Sequence, residues 1–389
     1  MPSHPNRTAR RTRSFTESVI REMTRVAQVH DAINLAQGFP DFPAPALVKE
    51  AACRAIQGDV NQYAVTWGSP RLRHAIADAY RRWYGLEVDG DREVTVTCGA
   101  TEAMVAVLLA TVDPEDEVVV LEPFYENYGP DTVLCSARPV HLPLEAPEFR
   151  LDSSALRRCV GPRARAIILN TPNNPTGRVF SRAELEAVAS VCREHDLLLL
   201  TDEIYEHIVY DGAHICPATL PGMRERTIVV SGASKTFAVT GWRVGTILAP
   251  PDLTDAIRKV HDFLTVGAPA PLQEAVAAGL EGLPGDYYED LVEGYRSRRD
   301  VLVEGLTRAG FRCRAPEGAY YVLADHSGLS DLDDTSFARW MAREPKVACV
   351  PGSSFFSEPE RGRTLVRFAF CKTLGTLEEA ADRLVRFFG

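Results

Sequence analysis

The residue with most chemistry to offer is a lysine set among small residues, in Ser231-Gly-Ala-Ser-Lys-Thr-Phe-Ala-Val-Thr-Gly-Trp-Arg-Val-Gly245. The run follows a short β-branched stretch, Thr227–Val230, which reads as a buried strand. Lysine is scarce in this chain: five (Lys49, Lys235, Lys259, Lys346, Lys372) against 38 arginines. Only Lys235 follows such a strand. A desolvated amine loses its proton more readily and becomes nucleophilic, which points to Schiff-base chemistry with an aldehyde. Ser231, Ser234 and Arg243 would suit a phosphate beside that aldehyde. Taken alone, the run reads equally well as a surface lysine in a glycine-rich loop.

Other polar groups follow the remaining apolar runs. Cys98-Gly-Ala-Thr-Glu102 enters an apolar helix, whose first-turn N–H groups favour a phosphate; a plain glycine turn is the equal alternative. Glu122-Pro-Phe-Tyr-Glu-Asn-Tyr128 is an aromatic cluster, suited either to core packing or to stacking on a flat ring. Asn170-Thr-Pro-Asn-Asn-Pro-Thr-Gly177 is a rigid turn with exposed amides. Asp202-Glu-Ile-Tyr205 closes the all-apolar Leu197–Leu200, where a carboxylate needs a cation. A protonated pyridine nitrogen would meet it, and Tyr205 could donate to a phenolate oxygen on the same ring. Arg367, inside Leu365-Val-Arg-Phe-Ala-Phe370, is either on a wet face or buried against an anion such as a carboxylate.

These groups need a scaffold that gathers strand ends. Seven runs read as strands: 93–97, 117–121, 139–142, 166–169, 197–201, 227–230 and 244–248. Helical patterns at 101–111 and 181–195 lie between some of them, which predicts an α/β domain with a mostly parallel sheet. Such sheets bind ligands beyond their strand ends. Helices are expected at 16–29, 46–56 and 70–84, the last with Pro70 in its first turn. Beyond about residue 285 a helix at 286–309, strands at 311–314, 319–324 and 364–370, and a helix at 377–388 predict a smaller α+β domain. No repeat or low-complexity segment is present.

Composition excludes several classes. The chain has 389 residues, 45% of them hydrophobic, and a net charge of −10; this argues against a nucleic-acid binder. No apolar run is long enough to span a membrane. Nine cysteines stand singly, which indicates neither a zinc site nor a disulfide framework and suits a cytoplasmic protein. The Arg-rich stretch 1–14 lacks the apolar core of a secretory signal; a disordered tail is the favoured reading and an organelle transit peptide the alternative. No metal-binding or nucleotide-binding signature is found.

Together with Asn34-Leu-Ala-Gln-Gly-Phe-Pro-Asp-Phe42 and Asn61-Gln-Tyr63, these runs resemble the fold type I pyridoxal-phosphate enzymes of the class I/II aminotransferase family. The nearest subgroup is the kynurenine/glutamine/methionine aminotransferases. The likeness runs from about Ile33 to the C-terminus. It implies a large domain (46–284) with a seven-stranded, mostly parallel sheet between helices. A small C-terminal domain (285–389) would be joined by an N-terminal arm (1–45).

The resemblance also implies roles. Lys235 would form the internal aldimine with pyridoxal 5'-phosphate and shuttle the substrate's Cα proton. Asp202 would pair with the ring nitrogen, Tyr205 and Asn174 with the phenolic oxygen, and Tyr125 would stack on the ring. Gly99, Ala100, Thr101, Ser234 and Arg243 would hold the phosphate, with Tyr63 reaching it from the other subunit of a homodimer. Arg367 would bind the substrate carboxylate, helped by Asn174 and the backbone of Ala36.

Departures from the family pattern are Ala36 in place of Gly, which would narrow the substrate mouth with its methyl, Asn173 in place of His, Gly232 in place of Ser, and Val266-Gly267 in place of a Phe-His pair. The expected reaction exchanges the amino group of an L-amino acid, with a neutral or sulfur-containing side chain, and a 2-oxo acid through the pyridoxamine form. The alternative keeps the fold and cofactor but ends in elimination or O2-dependent oxidation.

Overall fold

The computed structural model describes residues 7–389. All seven expected strands form one sheet: β1 (Val94–Thr97), β2 (Glu117–Glu122), β3 (Arg138–Pro143), β4 (Ala164–Asn170), β5 (Leu198–Asp202), β6 (Thr227–Gly232) and β7 (Gly245–Leu248). Their spatial order is β1-β7-β6-β5-β4-β2-β3. Only β7 runs against its neighbours, pairing antiparallel with both β1 and β6. Strands β1, β4 and β5 are buried almost throughout, as a sheet covered by helices on both faces requires. Two clusters of buried side chains face β4 from opposite sides, one holding Ile167 and Leu169, the other Ala166 and Ile168.

A second sheet is antiparallel: β8 (Arg312–Cys313), β9 (Tyr321–Asp325), β10 (Val350–Pro351) and β11 (Leu365–Ala369), in the order β10-β11-β9-β8. Ile33–Asn34 forms a two-residue strand paired in parallel with Val347–Ala348. That pairing ties the N-terminal arm to the segment leading into β10, and the N–H of Ala369 in β11 donates to the Leu35 carbonyl at 2.7 Å.

Several boundaries differ from expectation for local reasons. The first helix starts at Val19, because the Ser18 side chain accepts from the N–H of Arg21 and caps it. Strand β7 starts at Gly245 because Arg243 is left-handed, at φ 55°. Helices at Pro251–Thr265, Ala270–Gly282 and Asp334–Arg343 lay in stretches left unassigned. Of the stretch read as a disordered tail, residues 1–6 lie outside the described residues. Arg10–Arg13 forms a 3-10 turn, and Arg11 donates to the carbonyl of Leu134 at 3.0 Å. Among the described residues no helix is long and apolar enough to cross a membrane.

Candidate active site

Strands β2, β4, β5 and β6 are parallel, and β7 begins where they end. Their common edge opens into a cavity of about 700 Å³ lined by Lys235, Asp202, Tyr205, Tyr125, Asn174 and Arg367, among others. Lys235 stands in the helical turn Ala233–Thr236 that follows β6. Its Nζ lies 3.4 Å from the carbonyl of Gly38 and 5.7 Å from the Tyr320 ring centre. Burial pulls the amine down to about 8, with Arg243 and Arg367 repelling its charge in the same direction. A lysine in that range supplies a free amine near neutral pH.

Asp202 ends β5 and is buried. Tyr128 Oη donates to its Oδ2 at 2.7 Å and the N–H of Ile204 to its Oδ1 at 3.3 Å. Burial nevertheless holds the carboxyl above its usual range, against the pull of these donors and of Lys235. A cationic ring nitrogen is the partner such a group lacks.

Asn170, ending β4, donates to the carbonyl of Asp202 at 2.8 Å and accepts the N–H of Asn174 at 2.7 Å. The turn bearing Asn174 is thus fixed to the acid's own strand. Asn174 Oδ1 accepts from Arg367 at 2.8 Å. Its Nδ2 stays without a partner among the described residues. Tyr205 Oη lies 3.0 Å from Tyr321 Oη.

The end of the cavity expected to take the phosphate is shaped by two glycines. Gly99 caps the helix Ala100–Thr111 at φ 85°, and a Cβ there would lie 2.2 Å from an Arg243 guanidinium nitrogen. A Cβ on Gly245 would lie 2.6 Å from the amide nitrogen of Ala100. Only without those carbons can the helix start, whose first N–H groups have no partner within the helix, sit against both β7 and Arg243. Ala100, Thr101, Ser234 and Arg243 line the same end of the cavity.

Arg367 is fully buried, which settles it on the inner face rather than the wet one. Its second Nη donates to the carbonyl of Ala36 at 2.8 Å, and its Nε has no partner. No carboxylate lies within 4 Å of it among the described residues. A buried guanidinium so placed calls for an anion.

Two sequence expectations are corrected here, those for the Ala36 methyl and for Ser231. The Ala36 methyl packs in the core instead of narrowing the mouth, and its N–H is taken by Asn34 at 3.0 Å. Its backbone therefore orients Arg367. Ser231 turns away from the phosphate end and donates to Glu206 at 2.7 Å. Within one chain Tyr63 is 88% exposed and lines a different hollow.

Sequence reasoning missed Tyr128, Tyr321 and Asp131. The two tyrosines sat among other aromatics with nothing to single them out. Asp131 lines the cavity with Oδ2 unpartnered and is pushed up to about 7 by burial. Its i+3 spacing from Tyr128 was the only available signal.

An amine, an acid awaiting a ring cation, an anion cradle and a buried arginine in one cavity fit pyridoxal phosphate with an amino-acid carboxylate beside it. The model of the family described as aminotransferase class I and II matches residues 30–384. The solved N-succinyldiaminopimelate aminotransferase of Mycobacterium tuberculosis superposes with a TM-score of 0.95 at 42% identity, covering 97% of this chain and 99% of that one. Methionine aminotransferase of Escherichia coli is 38% identical over 94% of this chain and 95% of its own length. Human kynurenine–oxoglutarate transaminase 1 is 37% identical over 93% and 94%. The chain belongs to the class I and II aminotransferases and is a pyridoxal-phosphate-dependent enzyme of amino-group transfer between amino acids and 2-oxo acids.

Proposed function

We propose that this enzyme takes the amino group from an L-amino acid with a neutral or sulfur-containing side chain, as a cytoplasmic homodimer with shared sites. Bound pyridoxal phosphate supplies an electron-withdrawing ring and a carbonyl carbon that carries the amino group. The protein's own groups divide the rest. Lys235 anchors the cofactor aldehyde and, once free, moves the proton at the substrate Cα. Asp202, oriented by Tyr128, keeps the ring nitrogen charged. Tyr205 and the Asn174 amide donate to the phenolic oxygen, and Tyr125 covers the ring face.

Gly99, Ala100, Thr101, Ser234 and Arg243 hold the phosphate, joined by the partner subunit's Tyr63. Arg367, steered by Asn174 and the Ala36 carbonyl, takes the α-carboxylate. The supports for a neutral side chain are the apolar Ile20, Met104, Val105 and Leu264 in the cavity lining. Nine free cysteines support the compartment. The observation that carries the substrate reading is Arg367, a buried cation with an unused Nε and no acid beside it.

The test is single turnover: holoenzyme meets one amino acid at a time with no oxo acid present. The expected result is conversion of the cofactor to its amine form, with one oxo acid released per site. Ammonia or peroxide in its place would overturn the reading. Arg367→Ala should lower kcat/KM by about 10²- to 10³-fold, as loss of a charge-assisted bidentate pair does, while cofactor affinity changes little. Arg367→Lys should fall between. Equal loss of cofactor and substrate binding would make the arginine structural.

A further inference from the structure

Tyr321 opens β9, which pairs antiparallel with β11 so that Tyr321 stands opposite Ala369, two residues along from Arg367. Residues two apart on a strand share a face. The Tyr321 ring accordingly lies against the Arg367 guanidinium, with 4.3 Å from ring centre to Cζ. Its hydroxyl reaches on to Tyr205 Oη at 3.0 Å. Among the described residues the Tyr205 hydroxyl has no other hydrogen-bond partner. The backbone makes room for this pair at Gly38, where a Cβ would lie 2.1 Å from Tyr321 Oη.

Each hydroxyl has one proton, and acidity decides where the two protons go. Burial raises both phenols; Arg367 pulls Tyr321 back down, whereas Asp202 pushes Tyr205 further up. Tyr321 is therefore the stronger donor and Tyr205 the stronger acceptor. Tyr320 does not reverse that order, because its own proton goes to the Gly38 carbonyl at 2.9 Å. Tyr125, Tyr320 and Cys371, the other titratable groups facing the pair, are kept protonated by burial. With Tyr321 donating, the Tyr205 proton is left for an acceptor in the cavity that both residues line.

We propose that Tyr321 is a positioning residue for Tyr205: its hydroxyl turns the Tyr205 proton toward the phenolic oxygen of the cofactor and strengthens that bond by a second one in series. The inference rests on the role proposed above for Tyr205. Hydrogen bonds in a chain polarise one another, adding about 10–30% to each. A donor at the phenolic oxygen is worth most once the nearby Lys235 nitrogen has lost its proton, because the charge on that oxygen is then uncompensated. The relay therefore lowers the pH at which the visible absorption of the bound cofactor changes.

The experiment is a spectrophotometric pH titration of four holoenzymes: wild type, Tyr321→Phe, Tyr205→Phe and the double variant. Tyr205→Phe removes a bond to a charged oxygen and should raise the midpoint by about one unit. Tyr321→Phe should raise it by about a third of a unit, the share one bond lends the next. The double variant should match Tyr205→Phe alone, as for two groups acting through one contact. Phenylalanine keeps the ring against Arg367, so KM for a neutral amino donor should not change in Tyr321→Phe. Tyr321→Leu loses that ring and should raise KM about fivefold.

An unmoved midpoint in Tyr321→Phe beside a shifted one in Tyr205→Phe would overturn the inference. So would a Tyr321→Phe shift that persists in the Tyr205→Phe background, since the hydroxyl would then act on the cofactor without Tyr205. A midpoint that Tyr205→Phe leaves in place would instead fail the role given to Tyr205 itself, and the relay with it.

Discussion

At the scale of single residues, the groups that could be named in advance are those that are expensive where they stand. Lys235, Asp202 and Arg367 each follow or interrupt an apolar run, and each is enclosed in the folded chain. Burial is what makes Lys235 reactive, and it sets a pH test. The amine titrates at about 8; below that it is mostly ammonium, so the nucleophilic fraction falls about tenfold per pH unit. The rate at which apoenzyme reacts with pyridoxal phosphate should climb with that slope from pH 6 and level off above about 8. A rise continuing unchanged to pH 10 would mean an ordinary exposed lysine. Tyr128 and Tyr321 were illegible for the opposite reason. A buried aromatic costs nothing by itself, so its type and spacing reveal no partner, and only the fold shows which hydroxyl meets Asp202 or Tyr205.

At the scale of elements, the large sheet was readable because its strands are short, β-branched and bounded by turn residues. Each of the seven appears within a few residues of its expected place. The helices Pro251–Thr265 and Ala270–Gly282 fall outside the sequence expectations, although a proline opens each. The phosphate cradle depends on a join between elements that no single run displays: Gly99 faces Arg243, which lies 144 positions away along the chain. Gly99→Ala therefore tests the cradle. The added carbon must displace the Arg243 guanidinium and accept φ 85°, a conformation costing a non-glycine residue about 1–2 kcal/mol. The expected outcome is a tenfold or greater loss of pyridoxal-phosphate affinity, about 1.4 kcal/mol or more, measured by equilibrium dialysis. The fold itself should survive, as circular dichroism would show. Unchanged affinity would remove Gly99 from the cradle.

At the scale of the whole molecule, the chain leaves apolar surface exposed around Tyr63 and the end of the helix Pro251–Thr265. Tyr63 is 88% and Phe263 91% exposed, with Val60, Val65, Leu264 and Val266 exposed nearby in sequence. His261 accepts no solvent role here: its ring bonds the carbonyl of Thr66 at 2.8 Å and Glu102 at 3.0 Å. The Tyr63 loop and the end of the helix Pro251–Thr265 are thereby tied into one face. Such a patch suits the twofold pairing proposed above, in which each Tyr63 would reach the other subunit's phosphate end. The arrangement makes a prediction that a single-chain site cannot meet. Tyr63→Ala weakens both sites of a homodimer, and Lys235→Ala abolishes both. In a mixed dimer, the subunit that keeps Lys235 would receive an intact Tyr63 from its partner, restoring one complete site. Co-refolding the two variants should therefore give about a quarter of wild-type activity, from half the dimers with one good site each. Activity no higher than that of the Tyr63→Ala protein in the mixture would place Tyr63 outside a shared site, whatever the sedimentation coefficient showed.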